Sequence, residues 1–132
     1  MDFEWTVPKI FADISEREYI NPCCIGGDEV LNQLKPEIAS QMNIDKSRIE
    51  IYQEDWGWAL EFSKNDVFYF LGVNNNYESG DQTDFAVNIE ATRKVKKFLF
   101  TKSVEATEEL NEFATIVSKI ARKNNFEIRE NE

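Results

Sequence analysis

Apolar and polar positions along the chain fall into two periods, and the change between them marks the elements. Ile49 and Ile51 alternate with polar neighbours; Trp56, Trp58, Leu60 and Phe62 alternate on the opposite parity. Odd positions becoming even ones require a turn or bulge between Gln53 and Trp56, which falls on Glu54-Asp55 and puts that acidic pair at a sheet edge or in a loop. The two-residue spacing predicts both indoles on one sheet face, running into the core, with Asp55, Gly57, Ala59 and Glu61 on the other. Lys64-Asn65-Asp66 reads as a hairpin turn into Val67–Val73. Val67 to Leu71 is apolar on both parities, the mark of a central strand that needs cover on both faces. Helices supply one cover; the N-terminal segment, the C-terminal residues or a second subunit must supply the other. After the polar stretch from Asn74 to Thr83, residues 85–91 continue in strand phase, and 95–100 (VKKFLF) read as a further strand.

Helical spacing governs two other regions. Val30, Leu31, Leu34, Ile38 and Met42 form one stripe, with Asp28 as the expected N-cap and Pro36 as a kink or break. Leu110, Phe113, Val117, Ile120 and Ala121 form another, with Glu105, Glu108, Glu109 and Glu112 at its start and Lys119, Arg122 and Lys123 at its end, as the helix dipole favours. At the ends of the chain, residues 3–11 suggest a first strand that Pro8 confines to an edge or bulge, and 126–128 a short last one. Residues 12–27 read as irregular, with Asn21-Pro22 and Gly26-Gly27 as breakers. The elements predict one α+β domain over residues 1–132: a two-layer sandwich, its antiparallel sheet of about four to six strands carrying two main helices on one face.

Composition narrows the chemistry more than it names a function. With 132 residues, 42% hydrophobic and ten phenylalanines, the chain has the material for a packed core. There is no histidine, which excludes Ser-His-acid and Cys-His catalysis and imidazole-bound zinc within the chain. The only cysteines, Cys23 and Cys24, are adjacent; a bridge between neighbours is sterically awkward, so two reduced, inert thiols are expected. The stretch Asn74–Asp81 is oxygen-rich, but Ser79 and Phe85 stand where an EF-hand loop needs glycine and glutamate. No phosphate-cradling glycine motif is present, and none of the acids shows a diagnostic catalytic spacing. No cofactor, metal or catalytic residue is assigned. No apolar run is long enough to span a bilayer and the N-terminus begins acidic, so a cytoplasmic protein is expected.

Charge supplies the positive signal. Net charge is −10, and it is uneven: residues 93–102 hold Arg93, Lys94, Lys96, Lys97 and Lys102 without an acid, while the other 122 residues carry ten basic and 25 acidic side chains. An acidic surface repels phosphate backbones and anionic lipid, so neither nucleic acid nor membrane is the expected partner. The basic run reads as a solvated strand end or hairpin.

The string Glu54-Asp55-Trp56-Gly57-Trp58, followed by an apolar strand, a turn and Phe-Tyr-Phe-Leu-Gly-Val, resembles small bacterial α+β proteins, some of immunity or antitoxin type. That resemblance covers about residues 50–73 and carries no catalytic residues; it implies that the acidic surface masks a basic protein. The expected function is therefore non-catalytic binding of a basic protein partner, with Glu54, Asp55, Glu61, Glu78, Asp81 and Asp84 as rim residues and Tyr77 as an aromatic contact. Two alternatives stand beside it: a small-ligand binder or carboxylate-dependent enzyme with a pocket near Trp56 and Trp58, and a structural homodimer that buries Phe68 and Phe70.

Overall fold

The computed structural model describes residues 1–9, 22–75 and 83–130. Among these residues, seven strands form one sheet: β1 (Asp2–Thr6), β2 (Glu50–Glu54), β3 (Gly57–Lys64), β4 (Val67–Asn75), β5 (Asp84–Lys97), β6 (Phe100–Glu105) and β7 (Glu127–Glu130). The helices α1 (Gly27–Met42) and α2 (Thr107–Lys123) accompany it, with short 3-10 turns at Pro22–Cys24 and Lys46–Arg48. Every pairing is antiparallel, in the order β2-β3-β4-β5-β1-β7, and β6 lies against the far part of β5. The α+β class is as expected, but the sheet is larger than four to six strands. The segment expected as a further strand over 95–100 is instead split by a turn at Phe98-Leu99: β5 runs unbroken to Lys97, and β6 starts at Phe100 and folds back on it. The short last strand forms as β7, paired with β1.

Local chemistry accounts for the tight connections. Asn65 and Asp66 both take positive φ, 50° and 64°, the mirror-image turn that matches strand twist, so Lys64 pairs directly with Val67. The parity switch between Gln53 and Trp56 is a two-residue turn on Asp55-Trp56, with Glu54 opposite Gly57. The expected first strand stops at Thr6, short of Pro8, which allows β1 to sit between β5 and β7 instead of at an edge. Strand β4 extends through Asn74 and Asn75, which the sequence placed in the following loop. Most of the segment expected to be irregular, residues 12–21, lies outside the described residues.

Both helices use the stripes read from the sequence. Val30, Leu31, Leu34 and Ile38 of α1, and Phe113, Val117 and Ala121 of α2, are fully or almost fully buried. α1 runs unbroken through Pro36. Its N-cap is Gly26, at φ 79°, and not Asp28; the left-handed entry suits glycine, and Asp28 sits within the first turn, where its charge favours the dipole. Asn43, also left-handed at φ 55°, ends the helix by donating its N–H to the carbonyls of Ala39 and Ser40. Phe113 binds α2 to the sheet, edge-on to Phe62 and Tyr69 at ring separations of 5.6 and 5.1 Å, while Phe62 and Tyr69 stack on each other at 4.9 Å. Three aromatic rings in mutual contact hold α2 to this part of the sheet. Among the described residues, no helix is long and apolar enough to cross a membrane.

Candidate docking face

Register divides the sheet into two chemically different faces. Leu60, Leu71, Ile89 and their in-phase neighbours point to the helices and are buried. The opposite parity forms the outer face, in rows that cross the strands: Glu50, Glu61, Phe70 and Glu90; then Tyr52, Ala59, Gly72, Asn88 and Asp2; then Glu54, Gly57, Asn74, Ala86, Glu4 and Arg129. Both termini that the sequence offered as cover for this face are strands in the sheet instead. Phe68 is therefore 39% exposed and Phe70 only partly covered.

The two neighbouring tryptophans lie on opposite faces, which corrects the expectation of a shared one. Trp58 is in the ladder opposite Val73, packs against the core and donates its Nε1–H to the Cys24 carbonyl at 2.8 Å. Trp56 belongs to the turn, so strand parity does not apply to it. Its ring swings over the outer face, 6.0 Å from the Phe70 ring and close above Gly72, and stays 43% exposed. The two indoles thus share no pocket. Trp56 instead forms one wall of a shallow outer groove floored by Gly72 and Ala86, with Asn74, Asn88 and Asp2 around it. Small side chains on the floor leave room for an apolar group, and the aromatic wall supplies contact area.

Carboxylates surround Tyr52 on this face. Tyr52 donates its hydroxyl to Glu61 Oε2 at 2.7 Å. Its pKa is pushed up to about 12, first by burial, then by the hydrogen bond to Glu61 and the charges of Glu61, Glu54 and Glu50. Glu50 and Glu61 stand directly opposite each other in the ladder, a like-charged pair that costs stability. A cation placed between them would relieve that repulsion.

Of the residues singled out from the sequence, Glu61 lies in the middle of the outer face, Glu54 at its β2 edge and Asp84 at the start of β5, where it accepts a hydrogen bond from Thr6 Oγ1 at 2.7 Å. Asp55 is in the turn beside Trp56. Tyr77, Glu78 and Asp81 lie outside the described residues. Glu50, Tyr52, Glu90 and Asp2 were missed, although a signal was present: each has the parity opposite to an apolar neighbour, Ile49, Ile51, Ile89 or Phe3.

The cysteines also depart from expectation. Cys23 and Cys24 are joined as a vicinal disulfide within the 3-10 turn, and neither is free. The turn brings both sulfurs to the same side, 3.3 Å from the Asp55 carbonyl and 3.6 Å from that of Glu54, so the pair packs under the turn that carries Trp56. Bonded to each other, the sulfurs have no proton to donate, and these are packing contacts. Among the described residues, no cluster of acids or cysteines is arranged to hold a metal ion.

Fold and face together define an α+β protein whose sheet, among the described residues, has helices on one side and an acidic, aromatic surface on the other. No family model, curated protein or solved structure matches the chain.

Proposed function

We propose that this is a non-catalytic binding protein of immunity or antitoxin type, a two-layer domain whose open outer sheet face docks a basic protein. The observation that carries the reading is the gathering by strand register of Glu50, Glu61, Glu90, Asp2 and Glu54 on the face that holds Phe68 and Phe70 and that the Trp56 ring overhangs. Aromatic groups supply contact area at the centre, and carboxylates around them steer a cationic partner and set its register. Exposed charges attract over only ~8 Å at physiological ionic strength, so association should be fast at low salt and weaken steeply as salt rises.

The test compares capture of host proteins by the native chain and by a face-neutralised variant, Glu61→Gln with Glu90→Gln. A basic protein retained by the first, released by salt and lost from the second is the expected result. Retention indifferent to both salt and neutralisation would refute the proposal.

A further inference from the structure

Beyond Arg93, β5 leaves β4 and continues only with β6, as a two-stranded arm. Its tip is apolar: Phe98 and Leu99 are 96% and 101% exposed, and Phe100 60%. Phe98 also holds φ 50°, a conformation that a bulky side chain pays for and that turns ordinarily give to Gly or Asn. Three neighbouring exposed apolar side chains at such a tip gain by burial against a partner surface. Lys94, Lys96, Lys97 and Lys102 flank the tip.

The same chain carries a complementary surface. On the outer parity of β5 the residues read Ala86, Asn88, Glu90, Thr92, Lys94 and Lys96, ending at the Phe98 turn. Turned end for end about Thr92, this row matches itself: Glu90 meets Lys94, Asn88 meets Lys96, and the turn that carries Phe98 comes over Ala86. Asn88 does not stand alone, since its Nδ2 is held by Asp2 Oδ1 at 2.7 Å and Lys96 would face that carboxylate. The groove over Ala86 and Gly72, walled by Trp56, is where the apolar tip would arrive. Small opposite large and acid opposite base, related by reversal, is the self-complementarity that a two-fold interface requires.

We infer that two copies of this chain pack their outer sheet faces together about a two-fold axis near Thr92, each seating its Phe98 tip in the other's Trp56 groove. This rests on the reading of that face as a docking surface, and makes the basic arm of a second copy the first cationic group available to it. An arm does not serve its own groove: Ala86 and Phe98 lie about 40 Å apart along one extended strand at roughly 3.3 Å per residue. Near the axis Phe68 meets its own counterpart, so the centre is apolar. Because the arm beyond Arg93 is two strands wide, the overlap is widest near the axis and narrows to β5 and its β1 or β6 neighbour at either end.

The experiment is sedimentation equilibrium on the full chain and on Lys94→Glu, Glu90→Lys and the double exchange. The native chain should dimerise; each single change should raise the dimer Kd by about tenfold or more, and the exchange should recover most of the loss. Residues 90 and 94 of one strand are ~13 Å apart, too far to pair within a chain, so recovery must arise between copies. A monomeric native chain, or an exchange no better than the single changes, overturns the inference. So does a monomer that floats with vesicles of phosphatidylserine and phosphatidylcholine, which would assign the tip to membrane. Binding of protamine to the same samples separates the two readings. A monomer that still binds protamine through Glu61 and Glu90 loses only the self-pairing; one that does not loses the docking face as well.

Discussion

Two glycines in neighbouring strands give a sharp test of which sheet face is open. A Cβ at Gly72 would come within 2.8 Å of Trp56 Cη2 and 2.9 Å of Phe70 Cε1. Ordinary carbon contacts are about 3.5–4.0 Å, so both rings must retreat by somewhat under 1 Å. Both obstacles are ends of side chains, and the 43%-exposed Trp56 has solvent to move into. Gly72→Ala should therefore forfeit a ring contact worth about 0.5–1.5 kcal/mol and regain about 0.5–1 kcal/mol from removing glycine in a strand, for a net change within about 1 kcal/mol. A Cβ at Gly57 runs into the Val73 carbonyl, with Asn74 Cα at 3.1 Å. There the obstacle is the backbone of a central strand. The β3–β4 ladder must part, at an overpacking cost of about 1–3 kcal/mol plus about 1 kcal/mol for each ladder hydrogen bond lost, so Gly57→Ala should cost about 3 kcal/mol or more. Urea unfolding followed by circular dichroism reads the difference: at ~1–3 kcal/mol per molar, the Gly57 variant should unfold roughly 1–3 M earlier and the Gly72 variant nearly unshifted. Acrylamide should quench more of the emission in Gly72→Ala, since Trp5 is buried and Trp58 faces the core. Equal destabilisation by the two changes would mean that the outer face is covered, and the reasoning about docking would fall with it.

Other expectations concern the core, the field and α1. Phe113→Ala removes the ring shared by Phe62 and Tyr69 and should cost about 3–5 kcal/mol in chemical unfolding. Tyr52, raised to about 12, should ionise after an ordinary tyrosine in an absorbance titration, and Glu61→Gln should bring its midpoint down. Because the folded state holds Tyr52 protonated, its contribution to stability is present below pH 10 and is lost as pH rises from about 10 to about 12. Pro36 is exposed inside a continuous helix and leaves the Asn32 carbonyl without its helical donor; Pro36→Ala should raise the thermal midpoint, by part of the ~3 kcal/mol that an interior proline costs.

The helices and most strands were legible in the sequence because burial on one face imposes a period. The stripes of α1 and α2, the Asn65-Asp66 hairpin and the strand alternation in β3 and β5 all follow from local rules, and the parity switch located the turn before β3. The candidate face was half legible: Glu54, Glu61 and Asp84 were found as acids, but not as members of one surface. Trp56 shows why. Parity assigns faces only to residues within a ladder, and Asp55-Trp56 turned out to be the turn itself, which sent the two indoles apart. Glu50, Tyr52 and Glu90 were overlooked because an acid beside an isoleucine is unremarkable until register aligns it with others.

Chain order by itself determined the secondary elements, the lack of imidazole chemistry and the separation of basic from acidic segments. Tertiary structure alone decided that β1 lies inside the sheet, that β5 and β6 run on past β4 as an arm beyond Arg93, and that carboxylates from β1, β2, β3 and β5 share a face with four aromatic rings. Local pattern sets which way a side chain points relative to its own strand. Which side chains stand beside it depends on pairing between distant segments, and that is settled by the packing of the whole chain.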